Sequence, residues 1–255
     1  MCFTVSDTKE KTKKAIFDYI NSNPGMKMHF NFDDFEDKLL VSDFSHSKLP
    51  IVKQVSIELG ECGVVPSFIA EKNQEIDIQN KTLNTRADSI RERKSFRNAI
   101  VNQRCVLVVD GFVEWRHTPE RKIPYYIYPK DETVFYLGCI YNSYANKETG
   151  EVKDTFSILT TKANPMMEFV HNSKKRMPLI FGEDNIATWI NPNTVPEQVN
   201  LLMRSYDENR MKAHSISREA SYAGKDRNYP EIKDAVEYND PTQMNLFDYL
   251  TKREQ

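Results

Sequence analysis

Residues 104–116 read Arg104-Cys105-Val106-Leu107-Val108-Val109-Asp110-Gly111-Phe112-Val113-Glu114-Trp115-Arg116. Two apolar runs flank Asp110-Gly111, a dipeptide that readily supplies the positive φ angles of a two-residue hairpin turn. The stretch is therefore read as a β-hairpin, with residues 106–109 turning at Asp110-Gly111 into residues 112–115. Strand-like runs follow at about 124–129, 133–144 and 155–161, with a polar loop at 146–150 between the last two. A meander of this kind places an antiparallel sheet at the centre of the fold.

Helical patterns surround it. Residues 8–21 carry Ala15, Ile16, Tyr19 and Ile20 at helical spacing, and Asn23-Pro24-Gly25 ends the run. A helix is expected from about Ser89 to Asn102, with Ile90, Ala99 and Ile100 inward and the arginines outward. Asn164-Pro165 opens a short helix ending near His171, and residues 178–181 read as a strand. Two more helices are expected at 184–190 and 195–205, the second capped by Thr194. Gly63-Val64-Val65-Pro66 reads as a buried turn. The fold class is α+β: a single domain around a mainly antiparallel, barrel-like β-sheet with peripheral helices. The domain is expected over 1–225, followed by a polar, proline-punctuated tail at 226–255.

A chain of 255 residues can bury a core without disulfide or metal staples. No run approaches about 20 apolar residues, so no membrane span is expected, and the charged start at residues 8–14 argues against a secretory signal. A cytoplasmic protein is the expectation. Cys2, Cys62, Cys105 and Cys139 form no CxxC pair and no zinc-like cluster. No metal or organic cofactor is implied. Cys105 and Cys139 sit in apolar strands and are read as buried small hydrophobes.

The formal net charge of −2 excludes a protein held to nucleic acid by bulk charge alone. Charge is nevertheless clustered. Arg86, Arg91, Arg93, Lys94, Arg97, Arg104, Arg116, Arg121 and Lys122 lie within one stretch, and Lys174-Lys175-Arg176 forms a second group. The clusters are either a footprint for phosphate or solvated helix faces.

Cys2 has a distinctive chemistry. Aminopeptidases remove Met1 before a small residue, leaving a thiol and a free α-amine on one residue. The amine, with a pKa of about 7.7–8.0, condenses with aldehydes, and the thiol then closes a thiazolidine. The alternative is an untethered terminus. Glu114, between Val113 and Trp115, is either a buried carboxyl with a raised pKa, suited to proton transfer, or a strand residue facing water. His171 is either a proton-exchanging group beside a basic loop or a surface histidine. Asn84 precedes a helix and is read as either functional or an N-cap-type residue.

Together these pieces resemble the SOS-response-associated peptidase (SRAP) family. The resemblance rests on Cys2, Asn84-Thr85-Arg86, Gly111-Phe112-Val113-Glu114-Trp115, and His171 followed by Arg176-Met177-Pro178, in that order. Leu159-Thr160-Thr161-Lys162-Ala163-Asn164 is similar to a further family segment. The resemblance runs from Cys2 to about Ser217 and implies an abasic-site sensor that crosslinks to single-stranded DNA through Cys2. It implies that Asn84 positions the amine and sugar, that Glu114 shuttles protons, and that His171 promotes ring opening. It implies Arg86 and Arg176 on phosphates and Trp115 against a base. The sequence departs from the family pattern at Cys2-Phe3-Thr4, where Cys-Gly-Arg is usual. It departs again at Cys62-Gly63-Val64-Val65-Pro66-Ser67-Phe68, where two tryptophans are usual, and in the four residues between His171 and Arg176.

Gln243-Met244-Asn245-Leu246-Phe247 looks like the peptide that docks bacterial repair proteins on the sliding clamp, through Gln243, Leu246 and Phe247. The expected partners are therefore single-stranded DNA bearing abasic sites and the clamp, engaged by a monomer. Two other readings stay open. One is a thiol (auto)peptidase built on Cys2, His171 and Glu114; the other is a non-covalent single-strand-binding module.

Overall fold

The computed structural model describes residues 4–69, 72–131, 133–146, 149–222, 226–238 and 246. The strands are β1 (Thr4–Asp7), β2 (Lys27–Met28), β3 (Lys38–Ser42), β4 (Lys48–Val52), β5 (Ser56–Cys62), β6 (Asn84–Arg86) and β7 (Arg104–Val109). They continue with β8 (Gly111–His117), β9 (Lys122–Pro129), β10 (Phe135–Ala145), β11 (Val152–Lys162), β12 (Arg176–Pro178), β13 (Ile180–Phe181) and β14 (Met211–Ser215). The helices are α1 (Lys9–Ser22), α2 (Lys72–Lys81), α3 (Ala99–Asn102), α4 (Pro165–Val170), α5 (Ile186–Ile190) and α6 (Pro196–Leu202).

Five strands close a barrel in the order β11-β10-β7-β4-β5, returning to β11. All its pairings are antiparallel except the closing one, where Asp154, Thr155 and Phe156 run parallel to Gly60, Glu61 and Cys62. A second sheet, β14-β9-β8-β1-β3, packs beside it. The single α+β domain with a barrel-like sheet and peripheral helices is thus observed. Cys62, Cys105 and Cys139 are buried, as read for the last two.

The Asp110-Gly111 hairpin does not form. Both edges of β7 are occupied, by β10 and β4, and both edges of β8 by β1 and β9. Asp110-Gly111 instead carries the chain from the barrel into the second sheet, and Asp110 N–H donates to Ser6 O at 2.9 Å. Gly111 serves close approach, since a Cβ there would lie 2.5 Å from the Tyr126 ring. Tyr126 Oη in turn donates to Asp110 O at 3.2 Å. The local signal was that of a turn, and long-range pairing overrode it.

Other expectations are met or corrected locally. α1 ends before Asn23-Pro24-Gly25, and α4 is capped by Asn164, whose side chain accepts from Met167 N–H. The long helix expected from Ser89 to Asn102 is broken. A 3-10 turn covers Ala87–Glu92, and α3 begins only at Ala99, although Ile90, Ala99 and Ile100 do face the core. Thr194 is not a cap; α6 starts with Pro196 after Val195, while Thr194 Oγ1 donates to Thr188 O at 2.7 Å. Residues 226–238, expected to begin the tail, lie against the domain. Ile232 is fully buried, and Asn228 Oδ1 accepts from Leu39 N–H at 2.8 Å.

Candidate active site

Alternation along β8 decides where Glu114 points. Phe112, Glu114 and Arg116 share one face, and Val113 and Trp115 share the other. Phe112 and Val113 belong to different core clusters, Phe112 to the barrel-side core and Val113 to the outer core with Trp115. Glu114 therefore faces inward, where α4 covers it. The Arg116 guanidinium lies 3.8 Å over the Phe169 ring and donates to Phe169 O, tying α4 to β8. His171, the residue after α4, is thereby brought to Glu114, with Nδ1 to Oε1 at 3.9 Å.

Both groups are buried, Glu114 at 2 % and His171 at 4 % exposure. Burial pushes the Glu114 carboxyl up to about 8, partly offset by the Trp115 backbone N–H. It is therefore protonated at neutral pH. Burial also lowers the His171 pKa below the ordinary histidine value, so its ring is neutral. Nδ1 faces the carbonyl of Arg176 at 2.9 Å. A carbonyl only accepts, so Nδ1 carries the proton and Nε2 holds the lone pair. Glu114 Oε1 has no hydrogen-bond partner among the described residues. A protonated acid with a spare oxygen beside a neutral base is an arrangement for moving protons on a bound molecule.

Glu114 and His171 line a cavity of about 700 Å³ together with Thr4, Trp115, Tyr222 and a set of cations: Arg121, Lys122, Lys174, Arg218 and Arg227. A neighbouring polar groove of about 850 Å³ is lined by Arg86, Asp88, Arg91, Lys162, Lys174, Lys175 and Arg176. Lys174 belongs to both. The groove follows from β11, which takes β6 along one edge and β12 along the other. Arg86 lies opposite Thr160, and Arg176 opposite Lys162.

Glu114, His171 and Trp115 share the cavity, and Arg86 and Arg176 share the groove. Asn84 is a strand residue of β6, not a helix cap, and lines neither hollow. Arg86 is held by Asp88, through Nε to Oδ1 at 2.9 Å and a second contact to Oδ2. Trp115 Nε1 donates to Ser221 Oγ at 2.7 Å. Cys2 lies outside the described residues. The basic stretch is partly structural: Arg104 is 2 % exposed and donates to the carbonyls of Trp189, Ile100, Val101 and Asn191. Sequence reasoning missed Thr4, Arg218, Tyr222 and Arg227, which no motif marks. Among the described residues no group of three or more His, Cys, Asp or Glu is placed to hold a metal ion.

The family model described as SOS response associated peptidase (SRAP) matches residues 1–222. The chain belongs to the SRAP family. Among similar SRAP proteins is the abasic site processing protein YoqW of Bacillus subtilis, 34% identical over 61% of this chain and 66% of YoqW. Another is the abasic site processing protein HMCES of Gallus gallus, 28% identical over 61% of this chain and 51% of that protein. The match thus spans just under two thirds of the bacterial relative and about half of the vertebrate one. The SRAP fold is matched by a crystal structure of a Bacteroides thetaiotaomicron protein, with a TM-score of 0.82 and 30% identity over 92% of this chain and 99% of that one. A Bordetella bronchiseptica protein at 16% identity and a TM-score of 0.68 shares the fold. Among the described residues of this SRAP chain, no helix is long and apolar enough to cross a membrane.

Proposed function

We propose that the chain captures abasic sites in single-stranded DNA as a covalent adduct formed by Cys2 once Met1 has been removed. The observation that carries this reading is the pairing of protonated Glu114, with its spare Oε1, and neutral His171 at a cation-lined cavity. Thr4, two positions after Cys2 in the sequence, lines the same cavity. The relatives' description as abasic site processing proteins supports the substrate class.

The chemistry assigns each group a step. His171 Nε2 takes the proton of the sugar's anomeric hydroxyl as the ring C–O bond breaks and returns it to the ring oxygen, giving the open aldehyde. The Cys2 amine adds to the aldehyde carbon. Glu114 protonates the resulting hydroxyl, which leaves as water, and takes a proton back from the nitrogen as the neutral Schiff base forms. The Cys2 thiol adds across the C=N bond, its proton passing to nitrogen, and the five-membered thiazolidine closes with one water lost overall. Asn84 would orient the amine and sugar. Arg86 and Arg176 would hold phosphates in the groove, and Trp115 would meet a neighbouring base.

Denaturing electrophoresis tests this directly, using Met1-processed protein and single-stranded DNA with one abasic site. A shifted band is expected with wild type and not with Cys2→Ala, nor after acylation of the α-amine. Adduct from amine-blocked protein would favour a thiol peptidase or hydrolase. Salt-reversible binding without any adduct would favour the non-covalent module.

The same reading includes the sliding clamp as a partner. Gln243 and Phe247 lie outside the described residues, while Leu246 packs partly buried against the barrel-side core. Clamp docking would have to release that contact. Calorimetry with a peptide covering residues 241–250 should show micromolar binding to the clamp, and an absence of heat at those concentrations sinks the interaction.

A further inference from the structure

The cavity at Glu114 has a wall contributed by the segment that follows β14. Arg218, Tyr222 and Arg227 belong to it, and Arg227 lies beyond residue 222, where the family match ends. The segment is fastened on both sides of the wall. Before it, Ile216 N–H donates to Pro124 O at 3.0 Å. After it, Ile232 is fully buried, and Lys233 Nζ donates to Ser6 Oγ at 3.0 Å and to Asp110 Oδ2 at 3.2 Å. Between these anchors Ser221 receives the Trp115 indole N–H.

The two arginines are positioned without being neutralised. Arg227 Nη1 donates to the carbonyl of Ala220 at 3.0 Å, which orients the guanidinium and leaves its charge uncompensated. Arg218 lies 5.7 Å over the Tyr238 ring. Among the described residues neither makes an ion pair with a carboxylate. A guanidinium fork held in this way matches a phosphate oxygen pair. The rings of Trp115 and Tyr222 in the same lining offer surface to a base or sugar. Lys174 borders both cavity and groove, so one extended polyanion can run through both.

We infer that Arg218 and Arg227 form a phosphodiester clamp, built on the C-terminal segment, that holds the DNA strand at the cavity end of the site. This clamp is separate from the groove of Arg86 and Arg176, and it rests on the proposed reading of the site.

The test is a salt titration of binding to lesion-free single-stranded DNA, read by fluorescence anisotropy. Arg227→Gln and Arg218→Gln should each weaken binding about fivefold near 0.1 M salt and lower the slope of log K against log salt by about 0.7. Lys212→Gln, an exposed change on β14 outside both hollows, should alter neither. Thermal melts accompany each variant; if Arg227→Gln fails to fold, Arg218→Gln decides alone. Unchanged slopes in both variants overturn the clamp. So does displacement of DNA by millimolar inorganic phosphate with unchanged variant slopes, which indicates a free-anion site. Uptake of phosphate-free 2-deoxyribose by wild-type Cys2, followed by intact mass, reads the capture chemistry apart from the clamp. Its absence in wild type would instead remove the capture chemistry while leaving the slopes to judge the clamp.

Discussion

Glu114, which the proposed function makes the proton donor, is a fully buried carboxyl. Its carboxyl titrates near 8 in the fold, against 4.5 ordinarily, because burial disfavours the anion. The folded state therefore holds this proton more tightly than the unfolded chain. Glu114's contribution to stability is complete below about pH 4.5 and is lost as pH rises through about 8. Glu114→Gln removes the penalty and keeps the shape. The variant should melt higher than wild type at pH 8–9, by free energy on the order of a few kcal/mol, with the gap vanishing near pH 4. Equal melting temperatures at pH 9 would mean the carboxyl is hydrated in solution. Capture should move the other way. The wild-type rate rises as the α-amine loses its proton at about pH 7.7–8.0. It then turns down as Glu114 ionises near 8. Glu114→Gln should be slower throughout and lack the falling limb, which single-turnover adduct formation across pH 6–9.5 would reveal.

Elements place these side chains, and here the sequence was only partly readable. Patterns with a local cause were legible: the period of α1, the Asn164 cap of α4, and the strand-like runs of β9, β10 and β11. At Glu114 the sequence left a buried carboxyl and a water-facing strand residue both open, and the packing of α4 on β8 decides for burial. What failed depended on distant partners. Asp110-Gly111 looked like a turn, but Ser6 and Tyr126 claim it for a crossing between sheets. Arg104 looked like part of a basic face, but four carbonyls from two regions of the chain draw it inside. Residues 226–238 looked like tail because the segment is polar apart from Ile232 and Val236, and the burial of Ile232 needs the second sheet to exist first. The anchor of that segment makes a prediction. Asp110 is fully buried, and Lys233 is one of its few charge partners, with Lys11 at 3.8 Å. Lys233→Met should leave that carboxylate undercompensated and destabilise the fold by about 3 kcal/mol, measurable by urea titration. A loss under about 0.5 kcal/mol would show that Thr8 and Lys11 suffice.

For the whole molecule, the distribution of charge matters more than its sum. A formal charge of −2 would give a polyanion no reason to approach, yet the cavity and groove present lysines and arginines against few acids: Asp88, already engaged with Arg86, and the protonated Glu114. Cations are therefore clustered around the two hollows whatever the sum. On the proposed reading, capture divides into an encounter governed by phosphate contacts and a bond-forming step governed by Cys2, Glu114 and His171. The two stages should respond oppositely to salt. With roughly four phosphate contacts on a single strand, raising salt from 50 to 200 mM should cut the capture rate at subsaturating DNA about 50-fold. The same salt added after adduct has formed should release none of it on a denaturing gel. A capture rate indifferent to salt would mean that Cys2 meets the lesion without the cationic face. The clustering of Arg86, Lys174, Arg176, Arg218 and Arg227 around the two hollows would then have to serve another ligand.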